Sequence, residues 1–158
     1  MLIFYKIKLT PMRQGGTVQN RISLINPAWK AELYKYITGI VQNNGHKLIS
    51  INGVPNHLHI AVGYTPHQLI PDLLQDIKGY SSKWINKRKF VDGKFTWQES
   101  YGAFSFSHSS RQSGNRVVKY INNQEQHHKK QTFREEYIQL LIKYNIPFDE
   151  KYILLDIT

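Results

Sequence analysis

Two histidines, His57 and His59, stand one residue apart at the start of the apolar run HLHIAV. Alternate side chains of a β-strand share a face, so two imidazoles roughly 7 Å apart along the strand can converge on one divalent cation. Burying both rings without partners would be costly, and a cation would offset that cost. Two ligands are too few for a metal site, so a third ligand and a reacting group have to come from elsewhere in the chain.

A second pair of polar side chains, at helical spacing, lies in RVVKYINNQEQHHKK, residues 116–130. Tyr120 and Gln124 are four residues apart, so on a helix they would occupy one side. A phenol and an amide oxygen placed in this way could reach the same metal-bound phosphate. By itself the pair is also consistent with an interfacial tyrosine, one of ten in the chain, and a solvated glutamine.

The composition points to an anionic partner. Twenty-one Lys and Arg against eleven Asp and Glu give a net charge of +10, spread along the chain. Such an excess favours a polyanion, most commonly nucleic acid, although a merely basic surface is the alternative. The absence of cysteine excludes disulfides and thiolate metal sites, and it suits a reducing cytoplasm. No apolar stretch is long enough for a membrane span or a signal peptide, so we expect a cytoplasmic protein without membrane contact.

The elements that would position these residues follow the order β-α-β-β-α-β. Strict alternation over residues 2–9 predicts a half-buried strand, and Asn26 followed by Pro27 predicts the start of a helix ending near residues 43–45. The strands HKLISI and HLHIAV should flank the turn NGVPN. A second amphipathic helix is expected within residues 65–88, with Pro71 in its first turn, followed by the strand YGAFSFS.

This order predicts an α+β, ferredoxin-like antiparallel sheet with two helices on one face and the histidines on the other, open face. We expect one domain, with the core over residues 1–107 and a tyrosine-bearing helix and tail over residues 108–158. The polar connector SHSSRQSGNR predicts a hinge before a helix from about Val117 to about His128. Thr132 and Glu135 form a capping-box pattern that predicts a last helix.

Taken in order, these segments resemble the single-tyrosine HUH transposases of bacterial insertion sequences, including the branch associated with repetitive extragenic palindromes. NGVPNHLHIAV is similar to the family's His-hydrophobic-His strand, and VVKYINNQEQHH is similar to its tyrosine helix. WQESYGAFSFS resembles the strand before that helix, and TFREEYIQLLIKYNIPFDEKYI resembles the C-terminal tail. One departure is Asn56, where the family often has an acidic residue, but asparagine can still orient the neighbouring histidine through a hydrogen bond.

The resemblance implies a transposase that cuts and rejoins single-stranded DNA at hairpin-flanked ends by metal-dependent transesterification. It assigns His57, His59 and Gln124 to a Mg²⁺ or Mn²⁺ ion, and Tyr120 to the nucleophile that forms a 5′-phosphotyrosine intermediate. The implied partners are hairpin-ended single-stranded DNA and a second copy of the chain, in a homodimer that can exchange the tyrosine helix between subunits. The implied setting is the bacterial nucleoid.

Basic residues near aromatic side chains or near the proposed site are candidates for contacts to DNA. They are Arg13, Arg21, Lys83, Lys87, Arg88, Arg111 and Arg116. Three other readings stay open. They are a non-catalytic ferredoxin-like module that binds single-stranded nucleic acid, a relaxase or replication initiator, and a domesticated HUH nickase that no longer moves its own element.

Overall fold

The computed structural model describes residues 2–9, 25–106, 111–127 and 129–143, together with Pro147 and Asp149. The chain divides into two compact units, Met1–Asn122 and Asn123–Thr158. The elements in chain order are β1 (Leu2–Leu9), α1 (Pro27–Asn43), β2 (Lys47–Val54), β3 (His57–Gly63), α2 (Ile70–Arg88), β4 (Trp97–Phe106), α3 (Arg111–Asn122), α4 (Gln124–His127) and α5 (Phe133–Lys143).

The first unit contains a four-stranded antiparallel sheet in the order β2-β3-β1-β4. The predicted β-α-β-β-α-β order and the ferredoxin-like α+β class are therefore confirmed. Strand β3, which carries both histidines, lies inside the sheet, whereas β2 is an edge strand. In the register of β2 and β3, Asn52 is the partner of His59 and Val54 is the partner of His57.

The core lies between one face of the sheet and the helices α1 and α2. Leu58, Ile60 and Val62 alternate with the histidines along β3, and they are buried in one cluster with apolar residues of both helices. Fully burying a Leu or Ile side chain contributes roughly 1.5–3 kcal/mol, so these positions fix which face of β3 turns inward. His57 and His59 consequently face the other side of the sheet.

The ends of α1 and α2 follow the predicted signals. The Asn26 side chain accepts a hydrogen bond from the Ala28 N–H at 2.8 Å, and Pro27 opens α1. The helix ends at Asn43, and Gly45 adopts a φ of +77°, which glycine tolerates best. Pro71 lies in the first turn of α2, where its missing N–H breaks no helical hydrogen bond.

The hairpin between β2 and β3 is tighter than the sequence predicted. Strand β2 continues through Val54, so only Pro55 and Asn56 separate the strands. Gly53 makes the close approach possible, because a Cβ at this position would lie 2.5 Å from both the His57 carbonyl oxygen and Leu58 Cδ2. The Asn-Gly pair that indicated a turn is thus part of the strand ladder.

The boundaries of the tyrosine-bearing helix also differ from the prediction. Helix α3 begins at Arg111, inside the segment expected to be a hinge, and it ends at Asn122 instead of continuing to His128. A glycine inside a helix costs about 1 kcal/mol relative to alanine, and burial of Val117 and Ile121 offsets this cost at Gly114. After Asn122 the chain starts a separate short helix, α4.

In the second unit the predicted capping box is confirmed. The Thr132 N–H donates to Glu135 Oε2 at 2.9 Å, and the Glu135 N–H donates to Thr132 Oγ1 at 3.3 Å. These reciprocal bonds satisfy two amides that have no partner within α5. Across the residues that the structure covers, none of the helices has the length and apolar character needed to cross a membrane.

Candidate active site

The two histidines of β3 lie side by side and are fully buried. Both have 0% exposure, and their ring centroids are 5.0 Å apart. The sequence predicted that this face of the sheet would be open, but within the first unit α3 packs against β2 and β3. The imidazoles therefore line a protected site instead of an exposed strand surface.

Asn56 orients the first histidine, as the sequence predicted. The His57 Nδ1 lies 2.6 Å from Asn56 Oδ1. An amide oxygen can only accept a hydrogen bond, so Nδ1 of His57 carries the proton and Nε2 keeps the lone pair that coordinates metals. Imidazoles fixed in this way by a neighbouring oxygen are typical of metal ligands, so the orientation of His57 fits a divalent cation.

Tyr120 lies beside the histidines of its own chain. Its ring centroid is 5.8 Å from that of His59, with an angle of 60° between the ring planes. Val117 and Ile121 anchor α3 by burying their side chains, and this places the half-buried Tyr120 toward β3. The structure therefore brings together three of the residues that the sequence singled out, His57, His59 and Tyr120.

The C-terminal end of α3 is hydrogen-bonded to the edge strand β2. Asn52 Nδ2 donates to the Ile121 carbonyl oxygen at 2.9 Å and to the Asn122 carbonyl oxygen at 3.3 Å. Ser50 Oγ donates to Asn122 Oδ1 at 3.1 Å. Sequence reasoning missed both β2 residues, because Asn52 was interpreted as a turn residue and Ser50 gave no signal.

Gln124, the remaining predicted ligand, belongs to the second unit. It is buried, and its Nε2 donates to Glu136 Oε1 at 3.2 Å. Glu136 is a buried carboxylate in the first turn of α5, and it was also missed. The sequence contained one signal for Glu136. It lies three residues after Phe133 and four before Leu140, on the apolar stripe of α5, and an acidic residue on such a stripe needs a polar partner.

The predicted basic contacts are distributed over different parts of the chain. Lys83, Lys87 and Arg88 are exposed on α2, which packs on the opposite face of the sheet from the histidines. Arg116 is exposed on α3, and Arg111 is the first residue of that helix. Arg13 and Arg21 lie outside the described residues. The structure therefore does not bring the α2 group to the histidine pair.

Arg88 is engaged with its own helix layer. Its guanidinium donates to Glu32 Oε2 at 3.0 Å, and it lies over the rings of Trp84 and Phe90 at 5.8 and 5.1 Å from their centroids. These contacts join the C-terminal end of α2 to α1. A packing role is thus the simplest account of Arg88.

Two lysines of α2 lie over tyrosine rings, and we call Lys78, Tyr80, Lys83 and Tyr101 the lysine–tyrosine surface. The Nζ atoms of Lys78 and Lys83 are 5.3 and 5.9 Å from the ring centroids of Tyr101 and Tyr80, respectively. Tyr80 and Tyr101 are 51% and 37% exposed. Partial burial lowers the pKa of Lys78, and Glu99 opposes that shift only in part.

Known proteins resemble the chain at the level of both sequence and fold. The sequence profile of the family described as "Transposase IS200 like" matches residues 16–124, a range that includes the histidine pair, Tyr120 and Gln124. The ISDra2 transposase TnpA of Deinococcus radiodurans is 31% identical over 91 residues, which are 54% of this chain and 62% of that relative. The match therefore spans less than two thirds of the relative's length.

Two solved structures share the fold. A crystal structure of a candidate transposase from Deinococcus radiodurans R1 superposes with a TM-score of 0.54 at 22% identity, covering 77% of this chain and 89% of the other. The REP-associated tyrosine transposase bound to a REP hairpin superposes with a TM-score of 0.58 at 14% identity, covering 80% of this chain and 67% of the other. At these identities the likeness concerns the fold.

Proposed function

The chain belongs to the IS200-like transposase family, and from this premise we propose that it cuts and rejoins single-stranded DNA by transesterification through Tyr120. The observation that carries the proposal is the position of the Tyr120 ring, 5.8 Å from the ring of His59, whose neighbour His57 is 5.0 Å away. A phenol beside a pair of imidazoles is the arrangement that a metal-assisted tyrosine nucleophile needs.

His57 and His59 would hold a divalent cation, with Gln124 as the third protein ligand. Nitrogen and amide oxygen donors are compatible with Mg²⁺ or Mn²⁺. A cation bound there would supply a Lewis acid that keeps its full positive charge, because none of the three donors is anionic. Glu136 accepts a hydrogen bond from the Gln124 amide nitrogen, and this supports the proposal that the amide oxygen is the atom that binds the cation.

Tyr120 would begin the reaction by attacking the scissile phosphorus. The bond from phosphorus to the 3′ oxygen breaks, the phenol loses its proton, the 3′ oxygen takes up one proton and leaves as a hydroxyl, and the 5′ end stays on the tyrosine as a phosphodiester. A phenol is a weak nucleophile at neutral pH because its ordinary pKa is near 10, so a positive environment beside the histidines is required.

Rejoining reverses the same exchange with a different DNA end. A 3′-hydroxyl attacks the phosphotyrosine, the bond from phosphorus to the tyrosine oxygen breaks, and the phenol recovers its proton. One phosphodiester is made for each one broken. The reaction therefore needs no ATP.

We propose hairpin-ended single-stranded DNA as the substrate. The net charge of +10 suits a polyanion, and one structural relative is described as bound to a REP hairpin. The chain would act as a homodimer on nucleoid DNA in the bacterial cytoplasm. Arg13, Arg21, Arg111 and Arg116 are proposed contacts near the reacting strand, and the lysine–tyrosine surface with Lys87 is a proposed contact for flanking DNA.

Covalent trapping tests this function. The protein is incubated with a panel of hairpin oligonucleotides from the flanks of its own gene, with Mg²⁺ or Mn²⁺, and adducts are resolved on a denaturing gel. We expect an adduct that is lost in Tyr120→Phe, in His57→Ala and with chelator. An adduct formed by Tyr120→Phe would contradict the nucleophile assignment. Tight hairpin binding without any adduct would favour the non-catalytic binding module.

A further inference from the structure

The tyrosine helix ends on a side chain of the edge strand. The last carbonyl groups of a helix have no partners within the helix, and Asn52 Nδ2 donates to those of Ile121 and Asn122 at 2.9 and 3.3 Å. Tyr120 immediately precedes the first of these carbonyls. Asn52 is also the register partner of His59 across the β2–β3 ladder. One side chain thus connects the helix of the proposed nucleophile to the strand of the proposed metal ligands.

The amide of Asn52 is held in a single orientation. Its Oδ1 accepts from the Gly53 N–H at 2.9 Å and from the Tyr34 hydroxyl at 3.3 Å. A flipped amide would point its oxygen at two helix carbonyls and its NH₂ at the Gly53 N–H, which loses three of the four bonds, because only the Tyr34 hydroxyl could turn to accept. The direction of the Nδ2 donor is therefore fixed by groups of α1 and β2 that do not belong to α3.

Apolar contacts by themselves would leave the rotation of α3 weakly defined. Val117 and Ile121 are buried, but apolar contacts are non-directional, and they tolerate small rotations and shifts of the last turn. Ser50 adds one hydrogen bond to the Asn122 side chain, not to the helix backbone. Of the hydrogen bonds that the described residues of β2 make to the end of α3, the two made by Asn52 are those that reach the helix backbone.

We propose that Asn52 is a positioning residue that sets the distance between Tyr120 and the histidine pair. The inference rests on the proposed function in one respect, the role of Tyr120 as nucleophile. Reacting groups have to be held close to the geometry of attack, and a displacement of about 1 Å can cost about a hundredfold in rate. Loss of Asn52 should therefore slow the attack without weakening the binding of metal or DNA.

The test compares Asn52→Ala and Asn52→Asp with a matched asparagine. Asn52→Asp keeps the shape but loses the NH₂ donors. The control is Asn86→Ala, because Asn86 Nδ2 donates to the Phe95 carbonyl at 3.0 Å and its Oδ1 accepts from the Phe95 N–H at 2.6 Å, away from α3. Both asparagines fix backbone through their side chains, but only one fixes the tyrosine helix.

The measurements separate attack from binding. We expect the single-turnover rate constant for adduct formation at saturating hairpin DNA to fall about tenfold to a hundredfold in both Asn52 variants. The half-saturating DNA concentration and the Mn²⁺ dissociation constant should stay within about twofold of the native values. Asn86→Ala should lower the melting temperature with a nearly native rate constant. The proposal would be overturned if Asn86→Ala lowered the rate constant as much as the Asn52 variants do. It would also be overturned if the Asn52 variants lost Mn²⁺ or DNA binding in proportion to their loss of rate.

A readout without DNA makes the inference independent of catalysis. Hydrogen exchange of the amides at residues 117–122 should be faster in Asn52→Ala than in the native protein, and Asn86→Ala should leave it nearly unchanged. If the native protein forms no adduct, the proposed function fails, yet exchange still reports whether Asn52 holds the helix. Unchanged exchange in Asn52→Ala would remove the positioning role even if the native protein is active. Where Asn52→Ala fails to fold, Asn52→Asp gives the same test, because it keeps the shape of the side chain and loses only the NH₂ donors that bind the carbonyls of Ile121 and Asn122.

Discussion

The rings of Tyr120 and His59 lie 5.8 Å apart within a single chain. The family resemblance left open whether the tyrosine serves its own subunit or a partner's. Helix α3 packs against β2 and β3 of the same chain, and Asn52 of β2 binds the carbonyl oxygens of Ile121 and Asn122, so this placement of Tyr120 favours action in cis.

Mixed dimers should not restore activity. We expect no adduct above background when Tyr120→Phe and His57→Ala chains are co-expressed with different tags and co-purified, because in cis each chain lacks one half of its site. Exchange of the tyrosine helix would instead rebuild one intact site in each mixed dimer. The measurement is adduct formation on a denaturing gel. A clear adduct in the mixed sample would show that the tyrosine acts in trans.

Asn56 should tune metal binding. Replacing a group that orients a metal-ligating histidine typically costs tenfold to a hundredfold in affinity, so Asn56→Ala should weaken Mn²⁺ binding by about tenfold. Asn56→Asp should retain it, because a carboxylate oxygen also accepts from the His57 Nδ1–H seen at 2.6 Å. Isothermal titration with Mn²⁺ gives both values. Equal affinities in the native protein and Asn56→Ala would mean that this hydrogen bond does not support a metal site.

The sequence was sufficient for the core and insufficient for the contacts that fix the tyrosine helix. Alternation along β3 and the caps of α1 and α5 are local signals, and they predicted those elements correctly. The bonds from Asn52 to Ile121 and Asn122 join residues about seventy positions apart, and an Asn-Gly pair normally indicates a turn. Such tertiary contacts have no local pattern, so the end of α3 was misplaced for the same reason that Asn52 was missed.

Gly53 should be intolerant of a side chain. A Cβ at this position would lie 2.5 Å from backbone and side-chain atoms of His57 and Leu58, so Gly53→Ala should destabilise the protein by about 1–3 kcal/mol. Gly79→Ala is the matched control, because nothing lies within 4 Å of its Cβ position and it is inside α2. The control should stabilise by about 0.5–1 kcal/mol. Urea unfolding measures the change in unfolding free energy for both variants. Equal changes for Gly53→Ala and Gly79→Ala would contradict the close approach of the backbone at Gly53.

Lys78 should make stability depend on alkaline pH. Desolvation lowers the pKa of Lys78 in the folded state below its ordinary value of 10.5, so between the folded-state pKa and 10.5 the unfolded chain binds more protons. The free energy of unfolding of the native protein, relative to that of Lys78→Met, should therefore rise as the pH increases from the folded-state pKa of Lys78 to 10.5, and it should level off above 10.5. Lys83→Met, on the exposed face of α2, controls for removing a charge. If the difference in unfolding free energy between the native protein and Lys78→Met does not change with pH, the lowered pKa of Lys78 is contradicted.

DNA contacts on α2 should show in the salt dependence of binding. Lys83 and Lys87 are exposed cations, whereas Arg88 is bonded to Glu32 at 3.0 Å and packs on two aromatic rings. Each phosphate contact to single-stranded DNA contributes about −0.7 to the slope of log affinity against log salt, so Lys83→Ala with Lys87→Ala should reduce its magnitude by about 1.4. Arg88→Ala should leave the slope unchanged and lower the melting temperature instead. Fluorescence anisotropy over a salt series measures the slope and so separates contact with phosphate from packing. An unchanged slope in the double variant would mean that the DNA does not contact Lys83 and Lys87.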